Sequence, residues 1–347
     1  MKAAIFVKPG QMECRQIDQP TIQQPTDALI KVVRDSVCGS DMWWYRGITP
    51  YQSGNQEGHE AIGIVEAVGD QVTHVKPGDF VICPFTHGCG HCPACLAGFE
   101  GNCQNFGYDI KNGYQAEYLR YTGADWSLVK VPGQPSDYTD EQLNDLLTLA
   151  DVMATGYHAA NLAHVQAGDT TVVMGDGAVG LCGVIAAKLR GAKRIILMSR
   201  HEDRQQLGQE FGATDFVAER GDEAVQKVLQ LTHGAGADSV LECVGTELAM
   251  KTCFGLARAG AVIGGVGVPQ NAHMVNLTDL FGQNIGVQGG TASVTTYDRQ
   301  VLLKAVLNGQ IHPGHVFTRR FDLDHINEAY SAMDKRQAIK SLLIVSQ

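Results

Sequence analysis

The sequence predicts an α/β chain in which a mostly β domain is joined to a doubly wound parallel sheet. Three observations carry that expectation. The length, 347 residues, suits two cores at about 150 residues each. The first half is punctuated by Gly and Pro between short β-rich runs, and from Thr170 onward strands and helices alternate. Hydrophobic residues make up 44% and charged residues 18%, a balance that excludes wholesale disorder. With 27 Lys and Arg against 37 Asp and Glu, the net charge is −10. No basic run is present, so neither nucleic acid nor an anionic membrane is expected as a partner.

In order along the chain, Ala28–Val33, Ile62–Val68 and Asp79–Ile82 read as strands separated by turns such as Lys76-Pro77-Gly78-Asp79. Between Thr139 and Ala160 the pattern becomes helical, with Leu143, Leu146, Leu147, Leu149 and Ala150 at spacings of three and four. Strands are then expected at Thr170–Met174, Arg194–Met198, Asp215–Ala218, Ser239–Cys243 and Ala261–Val266, and helices at Val179–Leu189, His201–Phe211 and Asp222–Thr232. Ser341–Val345 reads as a strand that completes the first domain. The expected division is 1–152 and 294–347 for one domain and 153–293 for the other.

Ten cysteines and 40 glycines are the unusual counts. The chain starts without a signal-peptide apolar core, and its most apolar stretch, Val172–Leu189, contains Asp176 and four glycines. A reducing, cytoplasmic compartment is therefore expected, where clustered cysteines read as metal ligands rather than bridges. Cys89, Cys92, Cys95 and Cys103 have the spacing that lets four sulfurs close on one tetrahedral zinc as a structural site. An iron–sulfur cluster is the alternative that cysteine ligation alone leaves open. Elsewhere, Cys38, His59 and Asp151 supply a thiolate, an imidazole and a carboxylate, the pattern of a catalytic zinc with one open position. Cys14, Cys83, Cys182, Cys243 and Cys253 lack ligand spacing and are expected in the core.

Gly175-Asp176-Gly177-Ala178-Val179-Gly180 follows one expected strand and opens an expected helix. In that context the glycines permit a tight turn, close approach to a pyrophosphate and close helix–strand packing, which points to a dinucleotide. An NAD site would place an acid after Met198; the chain has Ser199-Arg200, with Arg204 beyond. Ser199 and Arg200 suit a 2′-phosphate, so NADP is expected over NAD, with Arg204 as a further cofactor-binding candidate. Two alternatives remain: Ser199 and Glu202 as a helix capping box, and Glu202 or Asp203 reaching a ribose.

Taken together, Cys38-Gly39-Ser40-Asp41, Gly58-His59-Glu60, the four-Cys loop, Thr155-Gly156, the Gly175 turn and Glu242-Cys243-Val244-Gly245 resemble, in order, the zinc-dependent medium-chain alcohol dehydrogenases. The resemblance spans essentially the whole chain. It implies a GroES-like catalytic domain with an inserted Rossmann domain, and two zinc ions per chain. It assigns Cys38, His59 and Asp151 to the catalytic zinc, with Glu60 able to enter the coordination sphere, and the four-Cys loop to the structural zinc. Asp151 stands where many members have Cys, as in the bacterial secondary-alcohol branch. Ser40 is the implied first proton-relay group, and Trp43 replaces the His that often continues the relay. Trp43, Phe85 and Thr155 fall at the substrate cleft, with Trp44 expected in the core. Val244 and Gly265, Val266, Gly267 and Val268 fall where the family binds its cofactor, and Lys340 falls near the pyrophosphate or, alternatively, on the surface. The implied activity is alcohol–carbonyl interconversion on small molecules, in a homo-oligomer that is a tetramer more than a dimer. A polyol dehydrogenase and an NADP-binding redox sensor without turnover are the alternative readings.

Overall fold

The computed structural model describes residues 1–108, 113–269, 275, 277–292 and 296–346. The chain forms two compact units, Met1–Asp151 with Ser293–Gln347, and Val152–Ala292. Among the described residues no helix is long and apolar enough to cross a membrane.

The Val152–Ala292 unit holds a six-stranded sheet in the order Asp215–Val217, Arg194–Met198, Thr170–Met174, Ala237–Glu242, Ala257–Gly265, Gly286–Gly289. Every neighbouring pair is parallel. Chain order therefore runs 3-2-1-4-5-6, and its reversal between Thr170–Met174 and Ala237–Glu242 opens a crevice at the carboxyl ends of the strands. Val172, Val173, Ile196, Leu197, Val240 and Leu241 are wholly buried, which explains why these strands read as unbroken apolar runs. Thr171 and Ser239 satisfy each other's hydroxyls across the sheet at 2.9 Å. The helix Ala178–Leu189 is apolar on almost every side because a second helix, Val152–Leu162, lies over it. Gly156 permits that approach: a Cβ there would stand 2.6 Å from Gly183 N. The helix expected from His201 starts at Glu202, with His201 as its N-cap residue, and ends at Gly212 with φ +116°. Ser199 lies outside it, so the capping-box alternative does not hold.

The other unit is built on a mixed sheet whose path runs Phe317–Phe321, Lys340–Ile344, Ala28–Ser36, Ala61–Val68, Phe80–Cys83, Val129–Val131, with Tyr118–Tyr121 also pairing Ala28–Ser36. Among the described residues of this sheet, only Phe317–Phe321 and Lys340–Ile344 run parallel. Ile30, Val32, Val65, Val81, Leu119 and Tyr121 form one of its cores. The helical pattern from Thr139 is interrupted: Asp140–Thr148 and Val152–Leu162 are separate helices with Asp151 in the break. Thr139 and Gln142 close a reciprocal capping box at the start of the first.

Candidate functional site

Cys38 lies just beyond the strand Ala28–Ser36, and His59 and Glu60 just before Ala61–Val68. These strands are antiparallel neighbours with Asp35 opposite Ala61, so the three side chains emerge at one end of the sheet. Asp151 reaches the same place from the helix break. The ligand atoms of Cys38, His59, Glu60 and Asp151 all lie within 4.8 Å of one another, and all four residues are buried. Cys38 Sγ donates to Asp151 Oδ2 at 3.3 Å, and His59 Nε2 stands 3.5 Å from the same oxygen.

The other imidazole nitrogen, Nδ1, faces Asp41 Oδ1 at 3.6 Å, while Asp41 Oδ2 accepts from Cys38 N at 3.0 Å. Asp41 thus orients two candidate ligands at once, a role that the sequence motif contains but does not reveal. The Phe85 ring meets His59 edge-on at 5.6 Å between centroids. Burial, reinforced by the Asp151 charge, pushes the Cys38 thiol up to about 11. A thiol and carboxyls crowded in a dry site are costly to ionise unless a cation joins them. A thiolate, an imidazole and a carboxylate are the donor set of a catalytic zinc, and the residues present fit that ion.

Lys340 departs from expectation. Its ammonium is buried, donating to Glu60 Oε1 at 2.6 Å and Val37 O at 3.0 Å, while Ser36 Oγ donates to Glu60 Oε2 at 3.0 Å. Lys340 opens the last strand, whose residue Leu342 pairs with Ser36, so its side chain meets the wall that carries Glu60. A buried carboxylate demands such a counter-charge. A surface position does not fit it.

The four-Cys loop places Cys92 Sγ 3.5 Å from Cys95 Sγ and 3.9 Å from Cys103 Sγ, with Cys89 Sγ 4.0 Å from Cys95 Sγ. Sulfurs about 2.3 Å from the centre of a tetrahedron stand about 3.8 Å apart, so these spacings fit zinc. Backbone N–H groups of Cys95 and Gln104 lower the Cys92 thiol to about 6, which favours the thiolate a metal requires.

In the parallel unit, Gly175 adopts φ +113° and Gly177 is the N-cap residue of Ala178–Leu189. A Cβ on Gly180 would meet Gly175 O at 2.0 Å, whereas one on Gly177 would meet nothing within 4 Å. The turn is therefore closed beneath and open above, the shape a pyrophosphate needs at a helix N-terminus, over Ala178 and Val179. Val244 and Gly245 donate to Glu242 Oε1, and Val266 and Gly267 donate to Glu242 O. One residue thereby gathers two loops at the carboxyl end of the sheet, with Gly265 below and Val268 exposed at the rim. Ser199 is buried and Arg200 exposed. Ser199 Oγ donates to Asp176 Oδ2 at 2.8 Å and Arg204 Nη1 to Asp176 Oδ1 at 3.0 Å. Asp176 is a second residue whose role the sequence motif does not reveal.

A family model described as the alcohol dehydrogenase GroES-like domain matches residues 24–133, and one described as zinc-binding dehydrogenase matches residues 178–306. Zinc-type alcohol dehydrogenase B of Aspergillus flavus is 35% identical over 87% of this chain and 72% of its own. The chain belongs to the zinc-type alcohol dehydrogenases. It has their GroES-like domain and parallel-sheet Rossmann domain, and it is an oxidoreductase of a family that uses zinc and a nicotinamide cofactor on small molecules. A zinc-dependent alcohol dehydrogenase structure from Streptococcus pneumoniae superimposes with a TM-score of 0.90 at 32% identity, covering 100% of this chain and 99% of that one. The NADP-dependent isopropanol dehydrogenase of Clostridium beijerinckii is 30% identical over 92% of this chain and 93% of its own. Of the residues the resemblance assigns to substrate in these dehydrogenases, Trp43 lies half-buried in the short helix Met42–Tyr45 and Ser40 half-buried before it. Thr155 is buried in the helix Val152–Leu162 of the other unit. Trp44 packs into the core against Phe6 and Tyr51, as expected.

Proposed function

We propose that this chain interconverts alcohols with aldehydes or ketones by hydride exchange with NADP(H) in preference to NAD(H), and that it holds two zinc ions. The convergence of Cys38, His59 and Asp151 within 4.8 Å in a buried pocket carries the reading. When bound, zinc supplies Lewis acidity toward the substrate oxygen and the nicotinamide exchanges the hydride. Cys38, His59 and Asp151 would hold the metal, with Asp41 beside the Nδ1 face of His59. Glu60, held by Lys340 and Ser36, keeps a further buried carboxylate beside these three ligands. Ser40 takes up the proton of the substrate hydroxyl, and Phe85 and Trp43 exclude water with an apolar wall. Cys89, Cys92, Cys95 and Cys103 close on the structural ion.

NADP is supported by the absence of an acid directly after the second parallel strand, by Ser199 and Arg200 there, by Arg204 in the helix that follows, and by the NADP dependence of the Clostridium relative. A steady-state screen of primary alcohols, secondary alcohols and ketones with both cofactors, run beside metal analysis, tests the proposal. Turnover of a member of that panel, a larger kcat/KM with NADP(H) and two zinc ions per chain are expected; a larger value with NAD(H) overturns the cofactor preference. Ser40→Ala is expected to lower kcat with zinc content unchanged, and an unaltered kcat removes Ser40 from the relay.

A further inference from the structure

The glycine-rich turn carries one charged side chain, Asp176, and its carboxylate is shared. Oδ2 accepts from Ser199 Oγ at 2.8 Å, and Oδ1 pairs with Arg204 Nη1 at 3.0 Å, which also reaches the Asp176 carbonyl at 3.2 Å. Ser199 is 3% exposed, and the side chains of Arg204 and Asp176 are 15% and 18% exposed, so the network is largely shielded from water. In a sheet of this order the adenosine ribose lies between the first turn and the end of the second strand, where its 2′ substituent is read. The hydroxyl and the guanidinium best suited to a 2′-phosphate are thus already engaged by a carboxylate. A phosphomonoester there carries about −1.5 to −2 charges and meets both that competition and a like charge. A plain 2′-hydroxyl meets an acceptor instead.

We propose that Asp176 is a specificity-determining residue: it competes with the 2′-phosphate of NADP(H) for Ser199 and Arg204, accepts the 2′-hydroxyl of NAD(H), and so keeps both cofactors usable. This rests on the dinucleotide reading of the turn, but not on which cofactor wins in the native chain. Asp176→Asn keeps the shape and an acceptor while removing the charge. Calorimetric titration of the full chain with adenosine 2′,5′-bisphosphate and with AMP separates the two contributions without turnover. Asp176→Asn is expected to bind the bisphosphate about tenfold more tightly, with AMP affinity constant or weaker. Asp176→Ser is expected to shift in the same direction, and adding Arg204→Ala to Asp176→Asn is expected to cancel the gain. The ratio of kcat/KM for NADP to that for NAD is expected to rise in parallel. Weaker bisphosphate binding, or equal shifts for both ligands, overturns the proposal alone; failure of the native chain to bind either ligand overturns the dinucleotide reading beneath it.

Discussion

Asp41 shows how a single side chain tunes a metal position without occupying it. It stands beside His59 Nδ1 at 3.6 Å and accepts from Cys38 N, so its carboxylate adjoins one candidate ligand and fixes the backbone of another. Asp41→Ala is expected to weaken the metal at the Cys38 site by about 10–100-fold while the four-Cys loop keeps its own; chelator competition with metal analysis measures this, and equal loss from both sites counts against it. Lys340 and Glu60 form the other residue-scale test. Lys340→Met leaves a buried carboxylate without its counter-charge and is expected to destabilise the fold by about 3–5 kcal/mol in denaturant unfolding, with Glu60→Gln restoring much of the loss. Additive losses would argue against the pairing. Residues with distinctive chemistry in short motifs, Cys38, His59 and the four cysteines, were legible in the sequence. Asp41 and Asp176 sit inside recognisable motifs, but their roles depend on turns that place them against residues elsewhere. The pairing of Lys340 with Glu60 was not legible, because nothing local marks a lysine that meets residue 60.

At the scale of elements, the parallel strands and their helices were legible because burial on both faces leaves continuous apolar runs. The break at Asp151 was not, since Leu146, Leu147, Leu149 and Ala150 carry the apolar spacing straight through it. The helix before that break makes a testable contact. Asp145 is 1% exposed, its Oδ1 accepts from Gly314 N at 2.7 Å, and His312 Nδ1 lies 3.1 Å from Oδ2. Burial outweighs these contacts and raises the Asp145 carboxyl from 3.8 to about 6. The folded state therefore binds this proton more tightly than the unfolded state, a stabilisation present below pH 3.8 and lost as pH rises through about 6. The melting temperature of the native chain minus that of Asp145→Asn is expected to fall across that interval. A flat difference would sink the assignment.

Across the whole molecule, stability is unevenly founded. The sheets rest on apolar cores, whereas the four-Cys loop gathers mainly Cys92, Cys95 and Cys103, with Cys89, Ala94 and Phe106 at its edge. With the proposed ion bound, metal would there substitute for a core. Cys103→Ser is expected to remove one zinc ion and lower the melting temperature while leaving metal at the Cys38 site; an unchanged melting temperature would show that the loop needs no ion. The insertion of one unit into the other sets an order of events. On the ribosome the Val152–Ala292 unit is complete before Lys340 is made. Until then Ala28–Ser36 lacks one antiparallel neighbour, and Glu60 has no cation beside it. Joining residues 37 and 340 closes a very long loop, a slow step that a nascent chain takes late. The candidate ligands are synthesised early, yet the charge that neutralises Glu60 beside them arrives only after a whole unit has been made.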